Sequence, residues 1–188
     1  MPSPSFFRPL FRRLLAGLAA ASLALVAPAL AFATTGPEPR QAIDIDRFMG
    51  RWYEIVRTPN DRQRNCHGAY QVWAKAPKDG FHIDQVCHVG DRDGPQRHVA
   101  TSARIVDPTT NAKFEASFFG GLIRRQYWVI DHGDNYGWMI ASTADGKFVA
   151  LLARTPGLPA AKLAALKSRI RALGFDNTLQ DVGLDRAP

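Results

Sequence analysis

The sequence has few of the residues from which metal centres and nucleophilic active sites are built. It contains 2 cysteines and 5 histidines among 188 residues, and the histidines do not recur at the spacing of metal ligands. The G-x-S-x-G motif, which presents the nucleophile in one large class of hydrolases, is absent. The formal net charge of +7 comes from scattered basic residues rather than from a basic stripe, which excludes the usual pattern of a nucleic-acid interface. We therefore expect no catalytic constellation, no metal site, no cofactor and no nucleic-acid partner.

Long hydrophobic runs are also scarce, and the one that occurs lies at the amino terminus. Arg8, Arg12 and Arg13 precede an apolar stretch over residues 14–30, and the small-x-small sequence Ala31-Phe32-Ala33 follows it. This pattern predicts a secretory signal peptide over residues 1–33, and hence a periplasmic protein. A membrane anchor is less favoured because no stop-transfer pattern follows. No cysteine lies at the cleavage position, so we expect no lipoprotein anchor, while export by the general or the twin-arginine route stays open.

The two cysteines flank a predicted hairpin. Cys66 and Cys87 lie on either side of two strand-like runs joined by the turn sequence KAPKDG. Folding the chain at this turn brings the two cysteines opposite each other, and export places them in an oxidising compartment. A cross-strand disulfide is the predicted state, with a reactive thiol or a pair of metal ligands as the alternatives.

Short runs of alternating polar and apolar residues follow a polar segment at residues 34–44, which we predict to be a flexible lead-in to a domain over residues 45–188. The runs predict eight strands, over residues 52–57, 68–74, 81–89, 97–106, 113–119, 125–131, 136–142 and 148–154. Such a series is typical of an antiparallel meander that closes as a barrel or folds as a sandwich.

The pattern then changes to helical spacing. Pro159 suits the first turn of a helix and Gly174 the position just past its end. Four apolar residues between them form a single stripe, namely Leu163, Leu166, Ile170 and Leu173. We expect this helix to dock on the outside of the strands and a short edge strand to follow over residues 178–182.

The predicted inner face combines large and small side chains. Its members include Tyr70, Phe114 and Phe118 together with Gly68, Ala103 and Ala116. Eight strands enclose about the space that side chains can fill or that one small ligand can occupy. The mixture of sizes favours a pocket over a filled interior.

Four segments resemble, in order, the motifs of the lipocalins, and more closely those of the bacterial outer-membrane-type and apolipoprotein D-like subfamily. They are Gly50-Arg51-Trp52-Tyr53-Glu54, NAKFEASFFGG, DNYGWMIAS, and LLARTPGL followed by the helix and GFD. The resemblance runs from about residue 45 to residue 176. It implies an all-β fold, an eight-stranded antiparallel up-and-down β-barrel (calyx) with one C-terminal α-helix packed outside.

The resemblance also implies roles for individual residues. Gly50, Trp52 and Arg154 would plug one end of the barrel, with the guanidinium packed across the indole. The expected ligand-binding residues of the calyx are Glu54, Tyr70, Val72, Ile83, Phe114, Ala116, Phe118, Tyr127 and Trp138. For Glu54, a contact with the ligand and a salt bridge to a structural arginine both remain open, because a buried carboxylate requires a partner.

The function implied is that of an exported carrier for a small hydrophobic ligand, a fatty acid, lysophospholipid or related membrane lipid, in lipid transport, storage or repair at the cell envelope. Arg124 and Arg125 would meet a lipid carboxylate or phosphate if their loop lies at the open end, and would otherwise form a solvated turn. Two alternatives stay open, an enzyme acting on a lipid or isoprenoid inside the calyx, and a scavenger of haem or pigment. A transient contact with a membrane surface and a monomeric or homodimeric state are further expectations.

Overall fold

Antiparallel strands make up most of the computed structural model, which describes residues 35–76, 80–175 and 178–182. The predicted signal peptide and residues 77–79 of the predicted turn lie outside the described residues. Helix α1 (Ile45–Phe48) precedes the strands, and helix α2 (Ala160–Ala172) follows the eighth strand. The strands are β1 (Gly50–Arg57), β2 (Cys66–Lys75), β3 (Gly80–Val89), β4 (Gln96–Ile105), β5 (Lys113–Phe118), β6 (Ile123–His132), β7 (Trp138–Thr143), β8 (Val149–Ala153) and β9 (Gln180–Asp181).

Strand β1 closes the sheet into a barrel because it pairs with both β2 and β8, while the strands between them pair in chain order. Its first half, from Gly50 to Tyr53, lies against β2. Its second half pairs with β9 at Val56 and Arg57. The predicted eight-stranded up-and-down barrel with one C-terminal helix is confirmed, and β9 is the predicted short edge strand.

The direction of the strands gives the barrel two different ends. The connections at residues 58–65, 90–95, 119–122 and 144–148 lie together at one end, which we call the mouth. Helix α1 and the connections at residues 106–112 and 133–137 lie at the other end, which we call the closed end.

Two irregularities near the mouth decide which side chains face the interior. The pairing of β1 with β8 shifts by one residue between Glu54 and Val56. The pairing of β2 with β3 shifts between His67 and Tyr70. Because side chains alternate along a strand, each extra residue moves every later side chain to the opposite face.

Helix α2 covers one side of the barrel. Leu166 and Ile170 are its buried residues, and they pack in one cluster with Val56, Ile140 and Leu151 on the outer face of β1, β7 and β8. Its backbone turns at Gly174, where φ is +93°, a conformation that favours glycine. Because the helix buries the outer face of these strands, that face carries apolar side chains as the inner face does.

The segment before α1 follows the barrel wall. Backbone hydrogen bonds join Gly36 N to Ala144 O and Ile43 N to Thr110 O, and Ile43 is buried. The Asp44 carboxylate then caps α1, accepting from two backbone N–H groups of the first turn. The residues that were predicted to form a flexible lead-in are thus hydrogen-bonded to the barrel.

A disulfide joins β2 to β3 at the mouth. Cys66 and Cys87 form the bond with their Cα atoms 5.3 Å apart, as the hairpin reasoning predicted. Closing a loop over a sequence separation of 21 residues contributes about 3 kcal/mol in the chain-entropy model. Among the described residues, no helix has the length and hydrophobicity that crossing a membrane requires.

Candidate functional site

The closed end is sealed by one tryptophan and one arginine. The Trp52 side chain is fully buried, and its indole Nε1 donates a hydrogen bond of 2.9 Å to the Phe48 carbonyl. The Arg154 guanidinium lies 3.7 Å from the centre of the indole ring. It also donates to the carbonyls of Arg51, Arg47 and Phe48 at 2.8–3.1 Å. Gly50, with φ at +97°, provides the turn from α1 into β1.

Aromatic rings fill the interior above this plug. The ring of Trp73 lies 5.5 Å from that of Phe81 and 5.1 Å from that of Phe114, and Phe81 and Phe114 are 6.0 Å apart. All three residues are at most 5% exposed. Such edge-on and tilted contacts are those that aromatic rings favour. The closed half of the barrel is therefore a packed core.

The interior becomes polar towards the mouth. Arg57 and Glu54 both face inwards, because the shift in β1 places them three residues apart on the same face. The Arg57 Nη1 donates to Glu54 Oε2 at 2.8 Å, and the Gln63 amide donates to the same oxygen at 3.2 Å. Arg57 also donates to the carbonyls of Gln63 and Cys66. These contacts tie the 58–65 connection to the inside of the barrel.

Burial dominates the electrostatics of this pair. The Arg57 and Glu54 side chains are 0% and 3% exposed. Burial raises the pKa of the Glu54 carboxyl above its ordinary value, although the Arg57 guanidinium and the Gln63 amide oppose the rise. Of the two roles left open for Glu54, the structure shows the contact with an arginine. That arginine lies near the mouth, and its role was missed because a bulge is not visible in the sequence.

Six of the nine predicted ligand-binding residues face the barrel interior. Glu54, Ile83, Phe114 and Ala116 are buried there, and Phe118 and Tyr127 are half-buried near the mouth. The register supports this placement, with Phe114 opposite Tyr127 across β5 and β6. Their binding of a ligand stays a prediction.

Tyr70 and Val72 were predicted to face the barrel interior, and this prediction is wrong. Tyr70 pairs with Tyr53, and Val72 with Arg51, on the outer face. The Arg51 guanidinium lies 4.5 Å from the Tyr70 ring there. The cause is the irregularity of β2 between His67 and Tyr70, which puts these residues on the face opposite to that predicted from Cys66.

The prediction that Trp138 faces the barrel interior is also wrong. Trp138 pairs with Ala153 and packs in the cluster beneath α2, where the Arg169 guanidinium lies 5.6 Å from its ring. Both faces of β7 carry apolar side chains, because the inner face lies in the barrel and the outer face is buried beneath α2. Hydrophobicity alone therefore does not distinguish its two faces.

Cations surround the inner face at the mouth. Arg125 lies two residues before Tyr127 on β6, so the two side chains extend from the same face of the strand. Burial raises the pKa of Tyr127, and the guanidinium groups of Arg125 and Arg62 oppose that rise. A polar cavity of about 280 Å³ opens beside them, lined by Asp61, Arg62, Arg64, Asn65 and Arg97. The rim of the mouth is therefore suited to an anionic group.

No metal site was found in the part of the chain that the structure describes, since no group of three or more histidine, cysteine, aspartate or glutamate side chains converges there. The chemistry that this arrangement supports is binding, by apolar side chains inside and by guanidinium groups at the rim.

Comparison with a family model shows the family of the chain, and solved structures share its fold. Residues 43–182 match the family model of the lipocalin-like domain. The chain is 27% identical to mouse apolipoprotein D over 149 residues, covering 74% of this chain and 76% of that protein. It is 25% identical to the outer membrane lipoprotein Blc of Vibrio cholerae over 142 residues, covering 74% and 81%. The solved structure of insecticyanin from the tobacco hornworm Manduca sexta superposes with a TM-score of 0.59 at 14% identity, covering 80% of this chain and 88% of that one.

Replacing Arg57 by Leu should lower the free energy of unfolding by about 3–5 kcal/mol, because it leaves the Glu54 carboxylate buried without its partner. The double replacement of Glu54 and Arg57 by Leu should recover most of that loss. Urea denaturation of the parent, both single variants and the double variant measures the coupling.

The pH dependence of the Arg57→Leu variant provides a second readout. Its folded state should hold a proton on Glu54 that the unfolded chain releases. The free energy of unfolding should therefore fall as the pH rises above the ordinary value of 4.5. Additive losses in the double variant, together with a flat pH profile, would show that the two side chains do not act as a pair.

Proposed function

Because the chain belongs to the lipocalin-like family, whose members typically bind small hydrophobic ligands, we propose that it is an exported carrier of a membrane-derived lipid at the cell envelope. The ligand classes that fit are fatty acids, lysophospholipids and related single-chain lipids. The protein would take up, hold and deliver such a lipid without changing it. Location in the periplasm rests on the predicted signal peptide, and a bacterial relative is named as an outer membrane lipoprotein.

The observation that carries the proposal is the gradient of exposure along the inner face. At the closed end the residues are buried, with Trp73 at 5% and Phe81 at 2% exposure. Near the mouth the inward-facing Phe118, Tyr127 and Phe148 are half-buried. A ligand that entered from the mouth would cover these side chains, at about 25 cal/mol for each Å² of apolar surface removed from water.

The arginines at the rim favour a lipid with an anionic head. An acyl chain in the barrel leaves its polar end at the mouth, where Arg125 and Arg62 lie beside the Tyr127 hydroxyl. Arg62, Arg64 and Arg97 line the adjacent polar cavity. Guanidinium groups match carboxylate and phosphate oxygens in geometry as well as in charge.

Native mass spectrometry of the protein, purified gently from its own cell envelope, tests the proposal directly. We expect one fatty acid or lysolipid for each chain, released unchanged on denaturation. An empty barrel that also takes up no such lipid on titration would contradict the carrier function, whereas release of a chemically converted lipid would favour the enzyme.

Replacing Phe118 by Arg should weaken the binding of a fluorescent fatty acid at least tenfold, because the acyl chain loses the apolar ring against which it would pack and meets a charged side chain there instead. The free energy of unfolding should change by less than about 1 kcal/mol, since Phe118 is only half-buried. The matched control is Ser102→Arg, an exposed position on the outer face of β4 opposite Ser117. Equal affinity of both variants would place the ligand elsewhere.

Replacing Arg125 by Gln should weaken the binding of a free fatty acid about tenfold, which corresponds to about 1.4 kcal/mol for one charge-assisted hydrogen bond. The methyl ester of the same fatty acid should bind both proteins equally, since it lacks the carboxylate. Arg124→Gln is the control, because Arg124 lies opposite Ser117 on the outer face. A similar loss for acid and ester would assign Arg125 a packing role.

A further inference from the structure

An exposed apolar loop stands at the mouth of the barrel. Phe119, Leu122 and Ile123 are 67%, 87% and 36% exposed, and they are the large hydrophobic residues found exposed in the described part of the chain. Single exposed hydrophobic residues are common on protein surfaces. Here three of them occur within residues 119–123, the connection from β5 to β6 together with the first residue of β6, which we call the mouth hook.

The backbone of the mouth hook adopts unusual conformations at its first three residues. Phe119, Gly120 and Gly121 have φ values of +52°, +68° and +99°. Glycine adopts such values without cost, whereas for a residue as bulky as phenylalanine they are rare. The ring of Phe119 thus stays in solvent although Phe118, one residue earlier, lies against the core of the barrel.

The charge of the mouth is positive. Its connections and the adjoining strand ends, over residues 58–65, 90–97, 119–125 and 144–148, contain seven basic and four acidic residues. The basic residues are Arg62, Arg64, Arg92, Arg97, Arg124, Arg125 and Lys147, and the acidic ones are Asp61, Asp91, Asp93 and Asp145. Three of these basic residues lie in ion pairs, Arg64 with Asp61, Lys147 with Asp145, and Arg124 with Glu115 of β5.

We propose that the mouth hook is a membrane-docking element, which inserts Phe119 and Leu122 into a bilayer containing anionic phospholipid while the arginines around it contact the headgroups. Apolar side chains at the tip and basic residues behind it are the combination that binds such an interface. Docking in this way turns the mouth towards the bilayer. The inference deepens the proposed carrier function by naming the surface through which a lipid passes, although the docking itself does not require that function.

A second copy of the chain fits the mouth hook less well. An aromatic side chain buries roughly 150–250 Å² and an aliphatic one less. Three partly exposed side chains therefore supply less than the about 800 Å² for each partner that a stable interface needs. The positive charge around the mouth hook also repels the equally charged mouth of a second copy of the chain.

Sedimentation with vesicles tests the proposal on the purified protein. We expect the parent to bind vesicles of phosphatidylcholine with phosphatidylglycerol at least fivefold more tightly than vesicles of phosphatidylcholine alone, and to lose that preference in high salt. The double variant Phe119→Ser/Leu122→Ser should bind the anionic vesicles at least fivefold more weakly. The matched control, Lys162→Gln/Arg171→Gln, removes two exposed charges from α2 and should bind like the parent.

A tryptophan at the tip reports the depth of insertion. In the Leu122→Trp variant, lipids brominated on their acyl chains should quench the fluorescence of the new indole beyond the quenching seen in the parent. No extra quenching, or equal binding of the parent and the serine variant, would overturn the proposal. Self-association of the parent that the serine variant abolishes would assign the hook to a second copy instead.

Titration with a fatty acid in the absence of vesicles separates this proposal from the carrier function. The Phe119→Ser/Leu122→Ser variant should bind the fatty acid like the parent, because its substituted side chains lie outside the barrel. A parent that docks on vesicles but takes up no fatty acid would refute the carrier function and leave the docking element in place.

Discussion

The contact between Trp52 and Arg154 determines which end of the barrel is available. Arg154 lies over the indole and also binds three carbonyl groups of the chain around α1. Phe48 of α1 in turn packs against Trp52 and Trp73, with ring centres 5.1 and 5.2 Å apart. A cation–π contact contributes about 1–2 kcal/mol when partly desolvated. Here it also fixes Trp52, against which the other aromatic rings of the closed end pack. With this end filled, entry to the interior is confined to the mouth.

The mouth differs from the closed end in chemistry as well as in packing. The shift in β1 turns both Glu54 and Arg57 inwards, and their ion pair draws the 58–65 connection over the rim. Arg125 and Tyr127 lie on the inner face of β6, opposite Ala116 and Phe114 of β5. Half-buried apolar side chains beside guanidinium groups are the surroundings that the proposed function requires, since it assumes a ligand with one apolar and one anionic end. In the docking that we propose, the apolar mouth hook would turn this opening towards a bilayer.

Much of the architecture could be predicted from the sequence, because it depends on local signals. Each of these signals lies within a short segment of the sequence. They are the period-two alternation of the strands, the turn residues, the proline and the glycine at the ends of the helix, and the spacing of the cysteines. Site residues were predicted less well. Ile83, Phe114 and Phe118 lie on strands whose alternation is unbroken, and they face inwards. Tyr70 and Val72 follow a bulge and face outwards, and Arg57 faces inwards for the same kind of reason.

The sequence by itself determined the antiparallel meander, its disulfide and its outer helix, because hydrophobic period and turn chemistry leave few other ways to bury these side chains. Closure of the meander as a barrel was indicated by the resemblance to the lipocalins. The family motifs also indicated the plug formed by Trp52 and Arg154. Only the tertiary structure decided which side chains enter the barrel, the partner of Glu54, the packing of Trp138 beneath α2 and the exposure of Phe119 and Leu122. Each of these depends on register or on a neighbour distant in the chain, and a single inserted residue reverses a whole face.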